Sequence, residues 1–148
     1  MAGGSLMVGI MKAARYLVFL SYGENRNSLT PLKLQKLLYL AQGWSYVWDG
    51  VPVFEDEFCA WQYGPVNEQV YEAFKQYGRS EIPQKEGIAR LEDETVADTL
   101  EAIWLEYGKR TAYDLVELTH KQEPWKTAYL HGNRITNSSI QKYFQSTY

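Results

Sequence analysis

The chain has 148 residues, enough for one hydrophobic core and too few for two ordinary domains. Its composition, 45% hydrophobic and 22% charged with no run of about 18 apolar residues, is that of a soluble globular protein and excludes a membrane span. A formal net charge of -3 gives no overall attraction to nucleic acid, and a single cysteine, Cys59, excludes an internal disulfide and a multi-cysteine zinc site, in keeping with the cytoplasm.

Residues 1–9 are glycine-rich and lack the basic and long apolar segments of a secretory signal, so they read as a flexible leader before one domain over residues 10–148. From Ile10, the apolar positions Ala13, Ala14, Leu17, Val18 and Leu20 recur at helical spacing until Gly23 and a polar run stop them. Thr30 then offers a capping oxygen and Pro31 suits a first helical turn, which predicts a second helix from about Pro31 to Trp48, closed by Asp49 and Gly50. Leu34, Leu37, Leu38, Ala41, Trp44 and Trp48 form one face of it, and Lys36, Tyr39, Gly43 and Tyr46 lie roughly opposite. Leu32, Leu40 and Val47 make that second side partly apolar as well, so the helix is expected at the centre of the domain.

Between residues 51 and 63 the helical spacing is lost, and a small β-hairpin or ribbon is expected, broken by Gly64-Pro65, which would open a third helix ending at Gly78. Residues 79–90 read as a surface loop, with a brief extended piece from Ile88 to Leu91. Further helices are expected after Asp93 or Glu94, from Thr111 through His120, from Pro124 to about Leu130, and from Asn137 or Ser138. The predicted fold is mainly α: a compact single domain of six or seven helices with one small β element.

No phosphate-binding loop, dinucleotide fingerprint, HExxH or nucleophile elbow is present. Two histidines, His120 and His131, fall short of a compelling metal set, and no metal or cofactor is expected. The acidic runs Glu55 to Glu57 and Glu92 to Glu94 read as turn and helix-start clusters. His120 suits the negative end of a helix, and Cys59, between Phe58 and Ala60, suits a small buried apolar group. A hydrolase using Cys59 or His120 is therefore the enzymatic alternative, and a helical nucleic-acid-binding regulator, disfavoured by charge, is the other. The distinctive signal is aromatic: Trp44, Tyr46, Trp48, Phe54, Phe58, Trp61 and Tyr63 crowd one short span, too many to hide easily in so small a domain. Part of that cluster is expected to form a binding surface.

The ordered segments "PLKLQKLLYLAQGW", "AWQYGPV" and "LVELTHKQEPW" resemble the Panacea domain proteins, the SocA-like and GepA-like phage-associated family, over about Ile10 to Phe144. The resemblance implies an antitoxin that neutralises a cognate protein toxin by direct contact in a mobile-element or prophage toxin-antitoxin system. It also implies that some members act as proteolytic adaptors, carrying the toxin to an ATP-dependent protease. No catalytic residue is carried over, so the chain is expected not to be an enzyme. The family-motif positions are Lys36, Tyr39, Gln42, Gly43, Trp61, Gly64, Pro65, His120 and Trp125. For the toxin contact, the residues expected at the surface are Gln42, Tyr46, Trp61 and Tyr63. Gly43→Leu is then expected to damage folding, whereas Gln42→Ala is expected to leave it intact.

Overall fold

The computed structural model describes residues 7–132 and 134–148; the expected leader lies outside the described residues up to position 6. Of the rest of that leader, the Val8 N–H donates to the Val53 carbonyl at 3.0 Å. Helix α1 (Ile10–Ser21) leads to α2 (Pro31–Trp48), which starts where its sequence says it should. The Thr30 hydroxyl oxygen accepts from the Lys33 N–H at 3.4 Å, and Pro31 occupies the first turn, where no N–H is needed.

Thirteen of the 18 residues of α2 are buried, so this helix has no solvent face in the usual sense. It is walled in by α1, by α3 (Glu68–Phe74), α4 (Glu94–Tyr107), α5 (Ala112–His120) and α7 (Asn137–Thr147), and by strand β2 (Gly64–Val66). Gly43 makes one of these approaches possible: the Phe144 ring of α7 fills the space that a Cβ would need. Leu34, Leu37, Leu38, Tyr39, Leu40 and Ala41 are fully buried, joined by Leu17, Phe54, Phe58, Leu100 and Ile103 from the surrounding elements. Trp48, predicted to share a face with the buried Leu34 and Leu38, is 47% exposed and stacks on Trp44 at 5.3 Å.

Helices α4 (Glu94–Tyr107), α5 (Ala112–His120) and α7 (Asn137–Thr147) begin at side-chain oxygens close in sequence. Asp93 caps α4 through the Val96 N–H and Thr111 caps α5 through the Asp114 N–H, both at 3.0 Å, and Thr136 caps α7 through the Ser139 N–H at 3.1 Å. Helix α6 (Glu123–Leu130) carries Pro124 in its first turn.

The β element differs from expectation in three ways. Residues 51–57 fold back irregularly over α2, and the hairpin begins only with β1 (Phe58–Trp61). Gly64 and Pro65 do not open a helix but belong to β2, pairing with Trp61 and Ala60, because Asn67 supplies the capping oxygen that starts α3. Gly64 sits at φ 105, a left-handed conformation that favours glycine at the tight hairpin turn, and Pro65 is tolerated because β2 is an edge strand. A third strand, β3 (Arg134–Ile135), pairs antiparallel with β1 and gives the order β2-β1-β3. Residues 88–91 form no strand; the Ile88 N–H is tied instead to the Arg15 carbonyl at 3.1 Å.

Candidate functional site

The tip of the β1–β2 hairpin is pinned from two sides. On one, His120 at the end of α5 places Nε2 2.9 Å from the Gln62 carbonyl, and Trp125 of α6 donates its Nε1–H to the Trp61 carbonyl at 2.8 Å. The His120 and Trp125 rings stack at 4.0 Å and those of Trp125 and Tyr129 at 4.6 Å, so one aromatic pile braces the turn. On the other, the Lys36 ammonium donates to the Pro65 carbonyl at 3.0 Å. The Lys36 stem and the Thr119 hydroxyl press against Gly64 where a Cβ would stand. Burial pushes Lys36 down to about 7, and no carboxylate among the described residues pairs with it. Six of the motif positions, Lys36, Trp61, Gly64, Pro65, His120 and Trp125, thus meet at one loop. Lys36 and His120, far apart in sequence, both end on backbone carbonyls of the same hairpin.

Deeper in, Tyr39 donates its hydroxyl proton to Gln122 Oε1 at 2.8 Å, and burial pushes that phenol well up. Gln35 closes a two-bond clasp on the Asn67 main chain, its Nε2 donating to the carbonyl at 3.0 Å and its Oε1 accepting from the N–H at 2.9 Å. The clasp fixes where β2 ends and α3 begins.

These supports leave a groove of about 640 Å³ between the start of α2, the hairpin and α3. Leu32 and Val70 contribute apolar wall, and Trp61, Tyr63, Tyr71 and Tyr129 contribute rings. Tyr63 is 59% exposed, Tyr71 41% and Tyr129 45%, while Trp61 meets Tyr71 edge to face at 5.0 Å. Rings held by hairpin pairing and stacking lose little entropy on contact with a partner, which favours them as interface anchors.

Of the four residues expected at a partner surface, the structure brings Trp61 and Tyr63 together here. It does not bring Gln42 and Tyr46, and their expected accessibility is corrected: both are buried, Gln42 completely. The cause is the fold-back of residues 51–57 together with α7. Gln42 Oε1 accepts from the N–H groups of Val53 and Phe54 at 2.8 and 3.3 Å, and its Nε2 donates to the Phe54 carbonyl and Asn137 Oδ1 at 2.8 and 3.1 Å. Tyr46 is covered from the same direction as Gln145 donates to its carbonyl at 3.0 Å. Two groove residues escaped the sequence reading. Tyr71 lies on the outer side of α3, away from Val70 and Phe74, and Tyr129 follows Trp125 at the i, i+4 spacing that predicts ring stacking.

The enzymatic alternative finds no support in geometry. Cys59 is half-buried on β1, and burial and neighbouring Glu68 push its thiol up, away from the thiolate a nucleophile needs. His120 is engaged with the Gln62 carbonyl and the Trp125 ring. Among the described residues no group of three or more His, Cys, Asp or Glu side chains is placed to hold a metal, and no helix is long and apolar enough to cross a membrane.

The architecture is that of a small mainly α protein built round an enclosed helix, with a braced hairpin presenting aromatic rings. The chain belongs to the antitoxin SocA-like, Panacea domain family, whose sequence profile matches residues 34–126. It is 32% identical over 109 residues to Antitoxin SocA of Caulobacter vibrioides (strain NA1000 / CB15N), an alignment covering 66% of this chain and 58% of that relative. The chain therefore aligns with little more than half of the relative's length. No solved structure matches. The matched region contains α2 from Leu34 onward, the hairpin, His120 and Trp125, and so most of the brace and groove.

Proposed function

We propose that this protein is a non-catalytic antitoxin that neutralises a cognate protein toxin by direct contact, and that the groove walled by Trp61, Tyr63, Tyr71 and Tyr129 receives part of that toxin. The supporting observation is the concentration of three exposed tyrosines around an apolar groove whose hairpin is braced on both sides. Surface aromatics of this kind, clustered and rigid, are the residues that carry binding energy at interfaces. Family membership supports a protein toxin as the partner. The site of action is the cytoplasm, and the same contact would serve whether the toxin is simply held or is passed to an ATP-dependent protease.

Co-expression with the product of the adjacent gene tests the reading: growth should be rescued and the two proteins should co-purify. Tyr63→Ala should weaken the complex by roughly 2 kcal/mol, about thirtyfold in Kd, while leaving the melting temperature of the free chain unchanged. Toxin levels followed after synthesis is stopped separate holding from degradation. Rescue and binding that survive Tyr63→Ala, Trp61→Ala and Tyr71→Ala together would remove the groove from the contact.

A further inference from the structure

A second cleft, of about 470 Å³, lies between α6 and α7 and shares no lining residue with the aromatic groove. Its walls follow from helical spacing. Pro124, Thr127, Ala128 and His131 make one stripe on α6 and its cap, and Ser139, Lys142, Tyr143 and Ser146 make the facing stripe on α7. Arg134 reaches the cleft from β3.

Three cationic or ionisable nitrogen groups thus converge from three elements: His131, Arg134 and Lys142. None of the three forms an ion pair or side-chain hydrogen bond among the described residues. Other cations of this acidic chain are paired with carboxylates, as Lys12 is with Glu92, Arg26 with Glu81 and Arg110 with Glu106, but what sets His131, Arg134 and Lys142 apart is that they line one cleft. The cleft holds one carboxylate, Glu123, and it is taken: Oε1 accepts the Thr127 hydroxyl at 3.0 Å, and Oε2 lies 3.8 Å from Lys126. Thr136 accepts the Ser139 N–H through its hydroxyl oxygen, which leaves its own proton to donate. Pro124, Ala128 and the Tyr143 ring supply apolar wall beside these donors.

A guanidinium alone satisfies a monovalent carboxylate through its paired N–H groups. A second cation lining the same cleft matches a doubly charged head group. We propose that this cleft binds a phosphate monoester with a small apolar body. Arg134, Lys142 and the Thr136 hydroxyl hold the phosphate, His131 lies at its edge, and the body rests on Pro124, Ala128 and Tyr143. The volume falls in the range of small-ligand sites. This site is independent of toxin binding.

The test is an NMR titration of the full chain with phenyl phosphate, inorganic phosphate and benzyl alcohol. Phenyl phosphate should give saturable shifts at the amides of Arg134, Thr136, Ser139 and Tyr143, with a Kd near or below about 1 mM. Inorganic phosphate should bind more weakly, and benzyl alcohol should not saturate. Arg134→Gln and Lys142→Gln, both at exposed positions, should each weaken phenyl phosphate roughly tenfold, the loss of one charge-assisted contact, without moving the melting temperature. Tyr63→Ala should leave this binding unchanged. The proposal is overturned if no saturation occurs by about 10 mM, if both glutamine variants bind like the parent, or if benzyl alcohol binds as well as phenyl phosphate.

Discussion

Replacing Lys36 by methionine should stabilise the protein below pH 7 and flatten its stability against pH. In the unfolded chain this ammonium titrates at its ordinary value of 10.5, whereas burial in the fold pushes it down to about 7. The unfolded state therefore holds more protons than the folded state between those values, and stability must rise with pH across that interval. The difference, 10.5 - 7 = 3.5 units at about 1.36 kcal/mol each, amounts to roughly 5 kcal/mol lost at low pH. About two thirds of it, roughly 3 kcal/mol, should be recovered between pH 6 and 9.5. Burial lowers Lys33 too, which adds a slope of the same sign, so the informative quantity is the difference between parent and variant. Methionine keeps the apolar stem against Gly64 but deprives the Pro65 carbonyl of its donor, at a cost of about 1–3 kcal/mol. The net gain at pH 6 should be roughly 2 kcal/mol or more. Urea unfolding followed by far-UV circular dichroism at half-unit steps of pH measures both quantities. A parent whose stability is flat from pH 6 to 9.5, or a variant that keeps the parent's slope, would refute the reasoning.

The remaining predictions concern packing. Gln42→Ala should cost roughly 3 kcal/mol in urea unfolding, since it leaves the polar groups of Val53, Phe54 and Asn137 unpaired in or near the core. This reverses what the sequence alone suggested. Gly43→Ala should destabilise by about 1–3 kcal/mol although alanine is the better helix former, because its methyl must displace the Phe144 ring. Combining it with Phe144→Leu should return part of the loss, a coupling that a double-mutant cycle would read directly. Trp125→Phe should retain the stack with His120 but lose the hydrogen bond to the Trp61 carbonyl, costing about 1 kcal/mol and speeding amide exchange at the hairpin turn.

The helices were legible because their signals are local. Thr30, Asp93 and Thr111 each serve an N–H three residues on, so chain neighbours suffice to place them. Gly43 was legible for a related reason: a glycine inside a strong helical pattern implies something close by, though not that it would be Phe144. Gln42 was misread because its burial depends on residues 51–54 folding back and on Asn137, which no periodicity in α2 encodes. Lys36 poses the same difficulty, for a lysine is ordinarily solvated and only the approach of Pro65 shows otherwise. Gly64-Pro65 imitated a helix start, since proline suits both a first helical turn and an edge strand, and Asn67 decided between them. Strand β3 has two residues, too few for any alternation to register. At the site, the excess of aromatics was visible, but their division into core and surface was not. Phe58 and Trp61 differ in fate because of where the hairpin lies against α2 and α6.

The enclosure of α2 has a consequence for how the chain is made. Most of its walls are built from residues synthesised after it, and the ring that seats on Gly43, that of Phe144, comes 144 - 43 = 101 residues later. At ribosomal speeds of about 5–20 residues per second, a helix apolar on nearly every side waits some seconds for its last cover. Through that interval the nascent protein presents sticky surface that chaperones or proteases can seize. The braced hairpin also lacks Trp125 and His120 until α5 and α6 have emerged. The aromatic groove should therefore take its final shape late and all at once, only after α5, α6 and α7 have emerged.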